Sequence, residues 1–421
     1  MIKHVVVIGG GVIGLSAAAE CAKRGHRVSV IDRDPQNRGS SLGNAGMIVP
    51  SHFVPLAAPG VVALGLKWMA NPESPFYIKP RLNWELFSWA MRFWRAGTAE
   101  HVKRCAPLLR DLHLASREAY SRLADSGEQL GLTKNGLLML CKTRKALDEE
   151  SHTAIAAQKL GIATNVLDAK QLAALEPHVT MDVQGGIHYP GDCHLDPQRY
   201  VQSREDFLLQ NNCQLLYQQE ITGWKLDGDR IAAVRTDSDE IEGDEFVLAG
   251  GTWSSDLSRK LGLSLPMQAG KGYSVTKSEP IELPRICSIF VEARVAVTPI
   301  GDRLRFGGTM EIAGINDRIN PRRVLGILKS IPNYYPKFKV EDFDGIAPWQ
   351  GMRPCSPDGL PYLGRTAIKR NLIIATGHAM MGLSLAPVTG EMVGAMVDGE
   401  PTSIDVSLLN PDRYAAFRKA S

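Results

Sequence analysis

Near the N-terminus four β-branched residues, Val5-Val6-Val7-Ile8, run straight into Gly9-Gly10-Gly11-Val12-Ile13-Gly14. A continuous apolar run of this kind is what a parallel strand buried on both faces requires. The glycines fit Gly-x-Gly-x-x-Gly. A small-residue helix follows through Leu15, Ala17, Ala18, Ala19, Cys21 and Ala22 to Gly25, and a second apolar strand, Val28-Ser29-Val30-Ile31, ends in Asp32. Gly9 permits the tight turn, Gly11 lets a pyrophosphate approach the backbone, and Gly14 lets helix and strand pack closely. The helix N-terminus at Val12 and Ile13 offers free N–H groups and a partial positive charge to phosphates. Asp32 stands where a carboxylate can bond ribose hydroxyls. A glycine fingerprint alone could be an ordinary turn, but strand, fingerprint, helix, strand and terminal acid in this order point to a dinucleotide. Arg33 hints at a 2′-phosphate, which Asp32 would repel, so NAD and FAD both remain.

Composition excludes other classes. The chain has 421 residues, 44% hydrophobic and 22% charged, which is enough for a large core and too little charge for a disordered chain. Lys plus Arg is 48 against 45 for Asp plus Glu, a net charge of +3, with no footprint for nucleic acid. The seven cysteines are scattered without a Cys-x-x-Cys pair, and the ten histidines lack a metal-site spacing. Neither a metal site nor a disulfide framework is expected. No apolar run approaches the ~20 residues of a membrane span, and the first residues lack a signal-peptide pattern. The expectation is a soluble cytoplasmic protein.

The fingerprint opens the chain, which favours FAD over NAD. The stretch that follows, Ser41-Leu42-Gly43-Asn44-Ala45-Gly46, resembles the D-amino-acid dehydrogenase branch of the glycine oxidase/D-amino-acid oxidase flavoproteins. That resemblance runs essentially end to end and implies that Ser41, Asn44, Ala45 and Gly46 line the flavin. It makes Gly250-Gly251-Thr252-Trp253-Ser254 a second glycine turn and puts Ile221 where the backbone holds the adenine. Gly351-Met352-Arg353-Pro354-Cys355-Ser356-Pro357-Asp358-Gly359 resembles the family segment whose arginine binds the substrate carboxylate. A guanidinium suits that task because its two parallel donors fix a carboxylate in one orientation. The segment from Ala375 to Gly390, with Gly377, His378, Gly382 and Leu383, matches the family's loop and helix start at the pyrimidine end of the isoalloxazine. His378 also reads as a structural histidine. Tyr273 matches a position whose hydroxyl assists carboxylate binding, although a core tyrosine fits nearly as well. His52 is a candidate for reading the substrate side chain, and Glu311 has no assigned role. The family's covalent flavin link uses a cysteine nearer Gly351 than Cys355, so the expected FAD is non-covalent.

The expected fold is α/β, with a Rossmann-type FAD-binding domain interleaved with an α+β substrate domain built on an antiparallel sheet. Residues 1–50, 194–262 and 348–421 are assigned to the FAD-binding domain, and 51–193 and 263–347 to the substrate-binding domain. Residues 263–345 alternate strands and turns without a helix-strand rhythm, which suggests an antiparallel sheet. Asp196-Pro197 reads as a helix start. Between Leu82 and Trp94 one helical face carries Leu86, Trp89, Ala90 and Phe93, and another carries Trp84, Phe87, Met91 and Trp94, with Arg81, Arg92 and Arg95 beside them. Such a helix is either buried or at an interface.

The resemblance implies an enzyme, an FAD-dependent dehydrogenase that carries a hydride from Cα of a D-amino acid to the flavin; the imine then hydrolyses. No side-chain base is needed if the amine binds neutral. A quinone-type acceptor and a peripheral contact with the inner face of the membrane are expected partners. Cyclic D-imino acids such as D-proline or cis-4-hydroxy-D-proline are alternative substrates. A glycine/sarcosine-type oxidase is an alternative activity, and an electron-relay flavoprotein subunit is an alternative from another class.

Overall fold

The computed structural model describes residues 1–34, 39–69, 71 and 73–418. Two sheets organise it. The first has six strands in the order Tyr362–Arg365, Leu372–Thr376, Glu245–Leu248, His4–Ile8, Arg27–Asp32 and Gln214–Tyr217. All its pairings are parallel except that of the edge strand Tyr362–Arg365. The strand alternation explains the uninterrupted apolar run at the N-terminus. Val5 and Val7 pack into a cluster with the helices Val12–Lys23, Ala99–Asp125, Pro197–Gln210 and Gly382–Asp398. Val6 and Ile8 point the other way, onto Trp224, Ile231 and Val234 of a three-stranded sheet. Both faces are covered, so both residue sets must be apolar.

Helix Gly382–Asp398 lies close against Val12–Lys23 because its contact face is glycine. A Cβ at Gly390 would stand 2.5 Å from the Ser16 carbonyl oxygen, and one at Gly394 would meet the Arg24 side chain at 2.7 Å. With its leading turn, Ala379–Asp398 is long and apolar enough, by length and composition, to cross a membrane. The sequence reading that no apolar run approaches that length is corrected here. The apolarity has a packing reason, since the helix is mostly buried as the central element of the cofactor-side core.

The second sheet orders its strands Trp349–Cys355, Gln268–Ser278, Arg303–Ile312, Val295–Ile300, Cys287–Phe290, Leu137–Cys141, Gly185–Tyr189 and Asn165–Asp168, with Phe76–Ile78 pairing Arg303–Ile312. It is mixed rather than purely antiparallel. Leu137–Cys141 joins Cys287–Phe290 in parallel, as Phe76–Ile78 joins Arg303–Ile312. Its far face is covered by helix Pro321–Tyr334 through Val324, Ile327 and Ile331. That helix interrupts the strands and turns of 263–345 once, without setting up a helix-strand alternation. Asn320 caps it by accepting from the Arg322 N–H at 3.2 Å, and Pro321 starts it, the same signal as Asp196-Pro197.

Strand Trp349–Cys355 hydrogen-bonds along Gln268–Ser278, and the next strand, Tyr362–Arg365, lies in the first sheet. Helix Ala99–Asp125 packs Cys105, Leu109, Leu112 and Tyr120 into the same core as Val5 and Val7 of the first sheet. Its apolar stripe fits that core, which Gly382–Asp398 alone would leave uncovered.

Candidate active site

Between the two sheets lies a cavity of about 960 Å³. The glycine turn forms one end. Gly9 has φ +111°, and a Cβ at Gly14 would stand 1.8 Å from the Gly9 carbonyl oxygen, so no larger residue fits between strand and helix. At Gly11 a Cβ would meet only the Ser41 hydroxyl, at 3.4 Å; its side faces open space in the cavity. Asp32 closes this end. It accepts from the Gly10 N–H at 2.6 Å and the Asp34 N–H at 2.9 Å. Burial pushes its carboxyl up, while these two amides favour the anion. The Arg33 guanidinium lies 4.0 Å over the Trp253 ring, engaged there instead of waiting for a phosphate.

The loop 40–46 runs along the middle of the cavity and is clamped from three directions. The Ser40 hydroxyl donates to the Met352 carbonyl and accepts its N–H, both at 2.8 Å. Ser274 donates to the Gly43 carbonyl at 3.0 Å. Arg305, buried and pulled by desolvation down to about 10, donates to the carbonyls of Leu42 and Asn44 at 3.1 and 2.6 Å. The Ser41 hydroxyl accepts from the Val12 N–H at 3.1 Å. It thereby occupies one amide of the helix N-terminus, leaves that of Ile13, and keeps its own O–H for a phosphate. Asn44 folds its side chain onto the Gly46 N–H at 2.9 Å. Gly46, at φ +77°, has the Leu195 carbonyl 2.3 Å from where a Cβ would be; it shapes the loop and does not line the cavity.

Ile221, Gly250, Ala45, Gly382, Leu383 and His378 line the cavity. Gly377 does not. Its φ of +80° turns the chain, and a Cβ would meet the Tyr362 ring at 2.8 Å. Helix Gly382–Asp398 aims its N-terminus at the cavity, a favourable end for negative charge. His378 is buried, with Nε2 3.2 Å from the Thr389 hydroxyl and Nδ1 without a partner among the described residues. Burial holds its imidazole down to about 3, hence neutral.

Arg353 also lines the cavity. The register shifts between Lys271, opposite Glu311, and Tyr273, opposite Gly308, so Thr309 and Met310 form a bulge facing Gly272. Thr309 takes φ +68°, unusual for a β-branched residue, and its carbonyl accepts from Arg353 Nη1 at 2.5 Å. Gly272 makes room, since a Cβ there would stand 2.2 Å from Arg353 Nη2. No carboxylate of the described residues lies within ion-pair reach of this guanidinium, and burial pulls it below its ordinary value. A cation set in an apolar cavity without an anion calls for an anionic ligand.

Tyr273 does not meet Arg353's ligand through its hydroxyl. Strand alternation turns it to the far face, among Val275, Phe306 and Ile327, and its O–H donates to Glu311 at 2.6 Å. That single proton is spent, so the carboxylate-assisting role read from the sequence is corrected, and Glu311 gains a role as Tyr273's buried partner. His52 does line the cavity. Asp358, in the Pro-Asp-Gly segment, pairs with Arg413 at 2.8 and 3.1 Å; it anchors the C-terminal segment. Arg305 and Asp192 were not singled out in the sequence, because neither lies in a motif.

The cavity suits FAD: an acid for the ribose, a bare glycine cradle for the pyrophosphate, and an orphaned buried nitrogen at His378 beside the helix start. Asp32, Ile13 and Ser41 would hold its nucleotide half, and the Gly382–Leu383 amides its flavin half. The fold has close counterparts. Glycine oxidase from Geobacillus kaustophilus superposes with a TM-score of 0.80 at 23% identity, covering 98% of this chain and 99% of that one. L-proline dehydrogenase from P. horikoshii gives 0.73 at 18%, covering 99% and 98%. Among curated proteins, the chain is 31% identical to a D-amino acid dehydrogenase of Granulibacter bethesdensis and 33% to one of Methylobacterium radiotolerans, each over 98% of this chain and 100% of the relative. Residues 4–396 match the family described as FAD dependent oxidoreductase. With that match spanning both sheets and the whole cavity between them, this chain belongs to the FAD-dependent oxidoreductases.

Proposed function

We propose that the chain oxidises a D-amino acid or cyclic D-imino acid at Cα to the imine, and passes the electrons to a quinone-type carrier. The observation that carries this reading is Arg353, a half-buried guanidinium that lines the cavity without a carboxylate partner among the described residues. FAD, when bound, supplies the acceptor for the two electrons of the Cα–H bond. Arg353 fixes the substrate carboxylate through a fork of donors, and so sets the direction of that bond. The relatives named D-amino acid dehydrogenase support the substrate class. Cys355, the cysteine lining the cavity, is fully buried with its thiol pushed up to about 11, which favours FAD held without a covalent link.

The direct test is anaerobic bleaching of the purified yellow protein by a panel of D- and L-amino acids, D-proline, hydroxyprolines and glycine, with oxygen uptake followed in parallel. Bleaching by D- but not L-compounds is expected. If no amine bleaches the flavin, an electron-relay subunit is the better reading. Acid precipitation should leave the flavin in the supernatant.

Helix Trp84–Ala96 supports the acceptor reading. Leu86 and Trp89 are buried, with the Trp89 Nε1–H donating to the Cys355 carbonyl at 2.9 Å. The opposite face leaves Trp84, Phe87, Met91 and Trp94 exposed, with Leu66 and Leu82 nearby in sequence. Apolar area of that kind is costly in water and marks a contact surface. Lys67, Lys79 and Arg95 are exposed on the same segments. The apolar end of the cavity runs between this helix and Val61–Met69, along Val62, Leu66, Trp89 and Phe93, a path suited to a lipid-soluble quinone. Binding to anionic liposomes is expected, weakened about tenfold or more by combined Trp84→Ser and Trp94→Ser. A protein that ignores liposomes and is reoxidised faster by oxygen than by a soluble quinone would be an oxidase acting away from the membrane.

A further inference from the structure

Directly after the loop along the cavity, Ser51 and His52 meet Asp192, in the turn between strands Gly185–Tyr189 and Cys193–His194. Asp192 is 1% exposed. Its Oδ1 accepts the Ser51 N–H at 3.1 Å and its Oδ2 the Ser51 O–H at 2.5 Å. The Ser51 oxygen lies 3.0 Å from His52 Nδ1. These contacts fix the protons. Ser51 has one hydroxyl proton, and the carboxylate takes it, so Nδ1 must carry the proton that the Ser51 oxygen accepts. Nε2 is then left with a lone pair and no protein partner among the described residues, on a ring that lines the same cavity as Arg353.

The charged surroundings decide where an added proton can rest. Arg294 and His113 stand near His52, and Arg117, Tyr189, Cys193 and Cys287 near Asp192. His113 stays neutral, buried with Nδ1 2.8 Å from the Ser384 hydroxyl. Burial and Arg294 push the His52 imidazole down to about 4, so a cation does not persist there. Burial pushes the Asp192 carboxyl up to about 7, against the pull of the two Ser51 hydrogen bonds and Arg117. A proton entering at His52 therefore has a better resting place two hydrogen bonds further in.

We propose that His52, Ser51 and Asp192 form a relay that takes the proton leaving the substrate's amino nitrogen. This rests on the amine-oxidising reading above. The substrate ammonium N–H bond breaks and Nε2–H forms; Nδ1–H breaks and a new Ser51 O–H forms; the original Ser51 O–H breaks and Asp192 Oδ2–H forms. His52 ends neutral in its other tautomer, no electrons move, and one proton has passed from the ammonium to Asp192. The nitrogen lone pair is then free to form the C=N bond as the Cα–H bond breaks. His52 touches the substrate, while Ser51 and Asp192 act through it. The relay lets the abundant zwitterion react, without waiting for the rare neutral amine from solution.

The test uses the holoenzyme and four variants, with flavin content measured first. Ser51→Ala and His52→Gln should lower kcat on the order of 100-fold with FAD retained, and Ser51→Thr, which restores a hydroxyl, should recover most of the loss. Wild-type kcat/KM should level off above about pH 7, where Asp192 is ionised. In Asp192→Asn that plateau should give way to a continuous rise up to the pKa of the free amine. A readout without turnover is infrared difference spectroscopy on binding 2-aminoisobutyrate, which has no Cα–H to lose. A protonated-carboxyl band should appear in the wild type and be missing in Asp192→Asn. Wild-type kcat and pH profile in Ser51→Ala, or a wild-type profile that climbs to the amine's own pKa, overturns the relay even where D-amino acids bleach the flavin. Failure of bleaching in the wild type would instead strike the amine-oxidising reading itself.

Discussion

Arg353→Lys should lower kcat/KM for the amino-acid substrate by roughly 30- to 1000-fold, a loss of about 2–4 kcal/mol, while leaving FAD bound. The expectation follows from how the guanidinium is held. One arm, Nη1, is engaged by the Thr309 carbonyl, which the bulge and the left-handed backbone at Thr309 direct toward it. Gly272 leaves the space that Nη2 fills. The rest of the fork is offered to the cavity with no carboxylate of the described residues to quench it. Lysine keeps the charge but has a single nitrogen. It cannot both hold Thr309 and present two parallel donors, so the carboxylate is held at one point and Cα swings. Because the Arg353 side chain bonds Thr309 and neither the glycine turn nor Asp32, the flavin absorbance of the variant should match the wild type. Steady-state kinetics with an artificial dye separates the outcomes. Near-normal kcat/KM would mean that the substrate carboxylate lies elsewhere, and the proposed orientation of substrate would fall with it.

What the sequence made legible is what is encoded locally. The strand, glycine turn, helix and terminal acid of residues 4–32 sit within one βαβ unit, so periodicity and spacing suffice to read them. Asp196-Pro197 was readable as a helix start for the same reason. Asn320-Pro321 carries the same cue, but a single helix among strands and turns leaves no helix-strand rhythm to mark it. Other parts depend on contacts between distant segments. Arg305 clamps Leu42 and Asn44 from the second sheet, and Asp192 meets Ser51 across a turn; no spacing in the sequence announces either. Tyr273 shows a subtler limit. Its position in the strand is as expected, but the choice between the cavity face and the far face, and the Glu311 partner waiting there, come from the packing of the sheet and not from any local pattern. The two parallel pairings in the second sheet join strands separated by long connections, and local alternation cannot distinguish them from antiparallel ones. For helix Trp84–Ala96 both apolar faces were visible, but only the fold decides that Leu86 and Trp89 go inward while Trp84 and Trp94 stay out.

Two glycines of the fingerprint should fail in different ways when replaced. Gly11 has an ordinary extended backbone, φ −73° and ψ 175°, and a Cβ there would touch only the Ser41 hydroxyl at 3.4 Å. Gly11→Val should therefore fold, with an apo stability close to that of wild-type apoprotein. Its side chain would instead fill the space where the pyrophosphate must approach, and the protein should be purified colourless. Gly14 is enclosed by backbone. A Cβ would stand 1.8 Å from the Gly9 carbonyl oxygen and 2.9 Å from the carbonyl carbon, and neither can swing aside like a flexible side chain. Gly14→Ala should force helix Val12–Lys23 off the strand beneath it and destabilise the apoprotein by about 3 kcal/mol, with cofactor binding lost as a consequence. Urea unfolding of both apoproteins, set beside flavin content, separates the two. A Gly11→Val protein that keeps its flavin would mean that the pyrophosphate passes elsewhere. An unchanged urea midpoint for Gly14→Ala would mean that helix and strand are not in the contact described. The pairing of a stable but empty variant with an unstable one is what an exposed cradle beside a buried contact requires, since the same small residue serves a ligand at one position and the fold at the other.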